Sequence, residues 1–164
     1  FPDVYIDTLA YQSTQKLPNT IHPRDNVMIR LCNVHGNRQK PITDPANDEF
    51  RGHVLEWAAV TKKLVVWDYA VTYAVHAELP TPSLPNYPNY FQFYDKHNLD
   101  GLFLELEYPV YADMRDLKVW VTMKLLEDPY QDYDQLICWQ VHKGIPYSSR
   151  RKCESPQCQC FLET

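Results

Sequence analysis

The sequence predicts an α/β fold built on a parallel sheet. Four short apolar runs read as strands, segments with helical spacing of apolar residues lie between them, and proline, asparagine and aspartate punctuate the joins. Two architectures fit that alternation: half of a (β/α)8 TIM-type barrel, or a small doubly wound parallel sheet. A complete barrel needs roughly 250 residues. Four strand units in 164 residues are what half a barrel contains.

The first strand is expected over residues 4–11 and the second over 27–32, joined by a loop carrying Pro18, Pro23 and the turn-prone Asp25-Asn26. A polar loop from Asn33 to Thr43 holds His35 and Gly36. Asp44-Pro45 then reads as a helix N-cap with proline in the first turn, and Phe50, Val54, Trp57 and Ala58 recur at helical spacing behind it. The third strand is expected over 64–69. Prolines 80, 82 and 85 deny regular structure to residues 79–85, because each lacks a donor and restrains its predecessor. A short helix with Tyr90, Phe91, Phe93 and Tyr94, a fourth strand over 101–106, and a last helix marked by Met114, Leu117, Val121 and Leu125 complete the series. Asp128-Pro129 stops that helix.

Composition limits the partners. With 45% apolar residues the chain can bury one ordinary core, and a formal charge of −5 disfavours a nucleic-acid backbone as ligand. No run approaches the roughly 20 apolar residues of a membrane span. The start at Phe1, where a methionine would stand, leads us to expect a processed product or an excerpt from something longer. Five cysteines cannot all pair within one chain, so the compartment stays open. Cys153, Cys158 and Cys160 with His142 lack the paired spacing of zinc knuckles, and no metal or other cofactor is expected. His22, His53, His76 and His97 read as surface or capping residues.

The chemistry concentrates at strand ends, where parallel sheets hold ligands. Trp67-Asp68-Tyr69 closes the third strand, and Glu105 and Glu107 close the fourth. Glycosidases work with two carboxyl groups roughly 5 to 9.5 Å apart. Asp68 with Glu105 or Glu107 is the candidate catalytic pair. Tyr11, Trp67 and Tyr69 offer flat faces to the apolar side of a pyranose, while Arg30 and His35 offer a carboxylate clamp and a loop contact. Strand alternation puts Trp67 and Asp68 on opposite faces, and the expectation is that Asp68 faces the ligand. The competing structural reading pairs Arg30 with Asp7 and gives Asp68 a loop or arginine partner.

Several spaced segments then stand in one order: Leu9-Ala10-Tyr11, His22-Pro23-Arg24-Asp25-Asn26-Val27, Val66-Trp67-Asp68-Tyr69, Gly101-Leu102-Phe103, and Lys124-Leu125-Leu126 through Asp128-Pro129 and Asp132. Together they resemble an uncharacterised domain family of glycoside-hydrolase-like proteins, related to the barrels of alpha-glucuronidases and beta-hexosaminidases. The resemblance covers Phe1 to about Ile137. It implies the C-terminal half of a (β/α)8 barrel, whose N-terminal half is missing from this chain, and a carbohydrate-active domain with a carbohydrate substrate or ligand in a secreted or extracellular context. Leu106 stands where that family carries glycine, and residues 138–164 are expected to be a divergent, poorly packed tail. The expected function is therefore part of a glycoside hydrolase acting on oligo- or polysaccharides through paired carboxylates, inactive as this piece alone. The alternative is a non-catalytic carbohydrate-binding or scaffold domain.

Overall fold

The computed structural model describes residues 3–70, 82–106 and 114–144, with 141–144 as helical backbone alone. Strands β1 (Ile6–Ala10), β2 (Val27–Cys32), β3 (Leu64–Ala70) and β4 (Gly101–Leu106) form one sheet in the order β1-β2-β3-β4, and every neighbouring pair is parallel. Helices α1 (Asp48–Ala58), α2 (Tyr87–Lys96), α3 (Arg115–Glu127) and α4 (Tyr133–Gly144) complete the described elements. The protein is an α/β fold with a four-stranded parallel sheet flanked by helices.

Period-two alternation decides what each face of the sheet carries. Ala10, Leu31, Val66 and Leu102 are successive register partners across the four strands. With Ile29, Leu64 and Ala70 they join one core cluster, into which α1 sends Phe50, Val54 and Trp57, α2 sends Tyr87, Tyr90, Phe91 and Tyr94, and α3 sends Val121 and Leu125. All the fully buried strand residues of this cluster thus share one face. Removing an aliphatic side chain of this size from water contributes about 1.5–3 kcal/mol, so this face is where the sheet gains its stability. The opposite face carries half-buried or exposed side chains, among them Met28, Arg30, Val65, Trp67, Tyr69, Phe103 and Glu105, with Cys32 the one buried exception among the described strand residues.

Local chemistry fixes the joins. Asp44 accepts a hydrogen bond from Ala46 N at 2.9 Å, so the expected cap is real, but it opens a 3-10 turn (Pro45–Asn47) that runs into α1. The β1–β2 loop is tied down by Trp57 Nε1, which donates to Gln15 O at 2.8 Å, and by Gln15 Nε2, which donates to Cys32 O at 2.6 Å. Residues 79–81 lie outside the described residues. Leu84–Asn86 is a 3-10 turn with proline in its first positions, where the missing N–H costs nothing, so this part of the proline-rich loop is regular after all.

One expectation at the C-terminal side needs correction. α3 is not the last helix, because α4 follows it after the Asp128-Pro129 stop. Asp132 opens α4 by accepting from Gln135 N at 3.0 Å, and the Asp-x-x-Gln spacing is the capping signature that the sequence reading passed over. Cys138 and Trp139 therefore belong to a helix, and Trp139 stacks on Trp120 of α3 with ring centroids 5.1 Å apart. Residues 145–164, including Cys153, Cys158 and Cys160, lie outside the described residues.

Candidate functional site

The register separates the two acids read as a pair. Asp68 is the partner of Leu104, and Glu105 is the partner of Tyr69, so Asp68 and Glu105 project from opposite faces of the sheet. Asp68 shares the parity of Leu64, Val66 and Ala70 and is only 4% exposed beneath the helices. Trp67 and Tyr69 turn the other way. Trp67 and Asp68 oppose each other, as strand alternation requires, but contrary to expectation Asp68 faces the core and Trp67 faces the open side.

On the helix side, four donors converge on the Asp68 carboxylate. Oδ1 accepts from Asn33 Nδ2 at 3.1 Å, Arg38 Nε at 2.6 Å and Tyr69 N at 2.8 Å, and Oδ2 accepts from Tyr94 Oη at 3.0 Å. Arg38 spends its remaining nitrogens on Gly36 O at 2.9 Å and on Asn33 O. The acid therefore stitches the β2–α1 loop and α2 onto the end of β3. Gly36 is required by this packing, since a Cβ there would lie 2.1 Å from Asn33 Oδ1. The space beside Asp68, between Arg38, Tyr87, Tyr90 and Phe91, is a cavity of about 10 Å³. That holds about one water and excludes a sugar ring. Burial pushes the Tyr94 phenol well above its ordinary range, with the nearby Asp68 charge adding to it, and burial acts likewise on Tyr90.

On the open face, a band of polar and aromatic side chains crosses all four strands. Arg30 on β2 donates from Nε to both Asp7 oxygens on β1, at 3.3 and 3.1 Å, and from Nη2 to Oδ2. Its guanidinium carbon lies 5.9 Å from the Trp67 ring centroid. Trp67 packs on Phe103 with centroids 4.4 Å apart and donates from Nε1 to Glu105 Oε2 at 3.1 Å. Tyr69 lies further along β3, hydrogen-bonded to the Cys32 thiol and within the field of Tyr11 and Glu105. The Arg38 guanidinium sits 5.3 Å from the Tyr69 ring centroid. Burial, then the neighbouring Cys32, Tyr11 and Glu105 groups, push the Tyr69 phenol up to about 12.

Of the sequence-predicted residues, Tyr11, Arg30, Trp67, Tyr69 and Glu105 thus belong to one side of the sheet, and Asp68 does not. Tyr11 caps its own 3-10 turn, with Thr14 Oγ1 accepting from its backbone N at 3.0 Å. His35 is exposed in the β2–α1 loop. Glu107 lies outside the described residues. Phe103, Cys32 and Arg38 were passed over; the register partners Cys32, Trp67 and Phe103 form one row, a signal that period two carries once the strand ends are aligned.

A larger cavity of about 190 Å³ lies at the opposite end of β4, between α2 and α3. Its acids are committed: Asp100 accepts from Lys63 Nζ at 2.6 Å and Leu64 N at 2.9 Å, and Asp95 accepts from Tyr130 Oη at 3.1 Å. Among the described residues no group of histidines, cysteines and acids is placed to hold a metal ion, and no helix is long and apolar enough to cross a membrane.

No curated protein and no solved structure matches the chain. A family model, a domain of unknown function designated DUF4838, matches residues 1–140. That span holds all four strands, α1 to α3 and most of α4, so the chain belongs to the DUF4838 family.

Proposed function

We propose that the open face of the sheet is a carbohydrate-binding surface, with Trp67, Phe103 and Tyr69 as its apolar floor and Glu105 as its acid. The observation that carries this reading is the side-by-side placement of Phe103, 42% exposed, Trp67 and the Glu105 carboxylate on a face that no described helix covers. Flat rings receive the C–H face of a pyranose, and a carboxylate beside them receives its hydroxyl protons. The resemblance to glycoside-hydrolase-like barrels agrees with it. On the same reading the sheet is an arc of a larger (β/α) barrel: helices pack on one face, and β1 presents Ile6 and Leu9 at an uncovered edge, each at least half exposed.

Hydrolysis through a carboxylate pair makes a further demand. Asp7 is engaged by Arg30 and lies three strand spacings from β4, about 14 Å, beyond the reach of an inverting pair. Asp68 faces the core. Binding is therefore the function that the described residues support best, and a glycosidase would need its second acid from outside them, with Glu107 the candidate in this chain.

Affinity for a panel of neutral oligosaccharides, followed by tryptophan fluorescence, tests the reading. Binding should weaken several-fold in Phe103→Ala, whose side chain is too exposed to matter to the core. Equal binding by both proteins, or none by either, would overturn it. Release of reducing ends during the same incubations would add catalysis to binding.

A further inference from the structure

The charges of the open face are arranged so that a cationic ligand gains and an anionic one does not. A uronate is best held by an arginine presenting a free pair of N–H groups to its carboxylate. The Nε–Nη2 edge of Arg30 is spent on Asp7, and Arg38 donates from Nε, Nη1 and Nη2 to Asp68, Gly36 O and Asn33 O. Arg38 has every nitrogen engaged, and Arg30 keeps only its Nη1–Nη2 end, on a guanidinium whose charge Asp7 already offsets. Glu105 is in the reverse position: it is partly buried beside Trp67, and its Oε2 takes the one hydrogen bond from Trp67 Nε1. No cationic side chain among the described residues is paired with it. Its charge is felt at the Tyr69 phenol.

We propose that this surface selects a hexosamine unit carrying a free ammonium over a neutral or uronate unit. The ammonium would donate to Glu105 while the ring rests on the exposed Phe103 side chain beside Trp67, whose π face also attracts a cation. The inference rests on the carbohydrate reading above and gives it a substrate class. It reverses the role expected for Arg30, which becomes a brace for Asp7 and Trp67 and not a carboxylate clamp.

The test is calorimetric titration of the whole chain at mildly acidic pH and fixed ionic strength with three probes of equal length: a glucosamine oligomer, its N-acetylated counterpart and a galacturonate oligomer. The glucosamine oligomer should bind about tenfold more tightly than the acetylated one, the size of one charge-assisted hydrogen bond. The galacturonate should bind weakest. Glu105→Gln, with an unchanged thermal midpoint, should erase the preference for the amine and bring the affinities of the two oligomers together. Equal affinity for amine and acetamide, tighter binding of galacturonate, or a preference that survives Glu105→Gln would overturn the inference and leave sugar binding standing. Binding of none of the three would remove the carbohydrate reading and this inference with it.

Discussion

Asp68 and Glu105 sit one register step apart on neighbouring strands, and the two faces of the sheet make them different groups. Asp68 accepts four hydrogen bonds, from a loop asparagine, an arginine, a backbone amide and a helix tyrosine, in a space with room for about one water. Glu105 accepts one, from an indole that is itself half-buried. A carboxylate with its lone pairs filled by fixed donors holds structure together. One with an oxygen left over can meet a ligand. The same residue chemistry at the same kind of strand end thus divides by parity alone.

The largest effect should come from the helix side. Asp68→Asn removes the charge that Arg38 is buried against and should cost about 3 kcal/mol in urea unfolding, the scale of breaking a buried ion pair. A loss below about 1 kcal/mol would mean that the loop does not depend on this acid. Next comes Gly36→Ala, which forces a methyl into Asn33 and should destabilise by about 2 kcal/mol through overpacking. It should do so without touching the open face, so sugar binding measured well below the unfolding transition should persist.

High pH should weaken the helix-covered side through its buried phenols. The Tyr69, Tyr90 and Tyr94 phenols are all raised in the folded protein from the ordinary 10.0, chiefly by burial, and Tyr69 reaches about 12. The unfolded chain then loses phenolic protons first, so stability is intact below pH 10 and falls between about 10 and 12 as the pH rises. Urea midpoints taken across that window should decline, and Tyr94→Phe, which removes the phenol that Asp68 accepts from, should make the decline shallower. A flat profile would mean that these phenols ionise as readily in the folded state as in the unfolded one.

The smallest effects belong to the open face. Arg30→Met breaks a partly exposed ion pair and should cost less than about 1 kcal/mol, and Glu105→Gln, which keeps an acceptor for Trp67 Nε1, should cost no more. A loss near that of Asp68→Asn in either variant would erase the contrast between the faces.

Much of this was legible in the sequence. The bounds of β2 and β4 coincide with their expected ranges, because apolar runs flanked by turn residues leave little choice of register. The Arg30–Asp7 pair was named as the competing structural reading, since opposite charges on neighbouring strands find each other. Which face of β3 would be covered was harder, although Leu64, Val66 and Ala70 share the parity of Asp68 and already pointed it toward the helices. The Arg38 contact was not legible at all: it joins residues 30 positions apart through a loop whose path depends on Asn47, which holds Asn37 N at 2.7 Å and Pro41 O at 2.9 Å. α4 was missed because a proline stop was read as the end of helical structure, when the capping spacing from Asp132 to Gln135 restarts it.

The open face, and not the helix-covered one, is the surface we propose meets the ligand, and the tryptophan indoles report on the two separately. Trp67 Nε1 donates to Glu105 on the open face, whereas Trp57 Nε1 donates to Gln15 O in the core. With the indole N–H signals assigned by Trp→Phe substitution, a nitrogen–proton correlation spectrum should be followed while a glucosamine oligomer is added. The Trp67 signal should shift progressively to saturation while the Trp57 signal stays in place. A stationary Trp67 signal alongside bound oligomer would contradict the proposal.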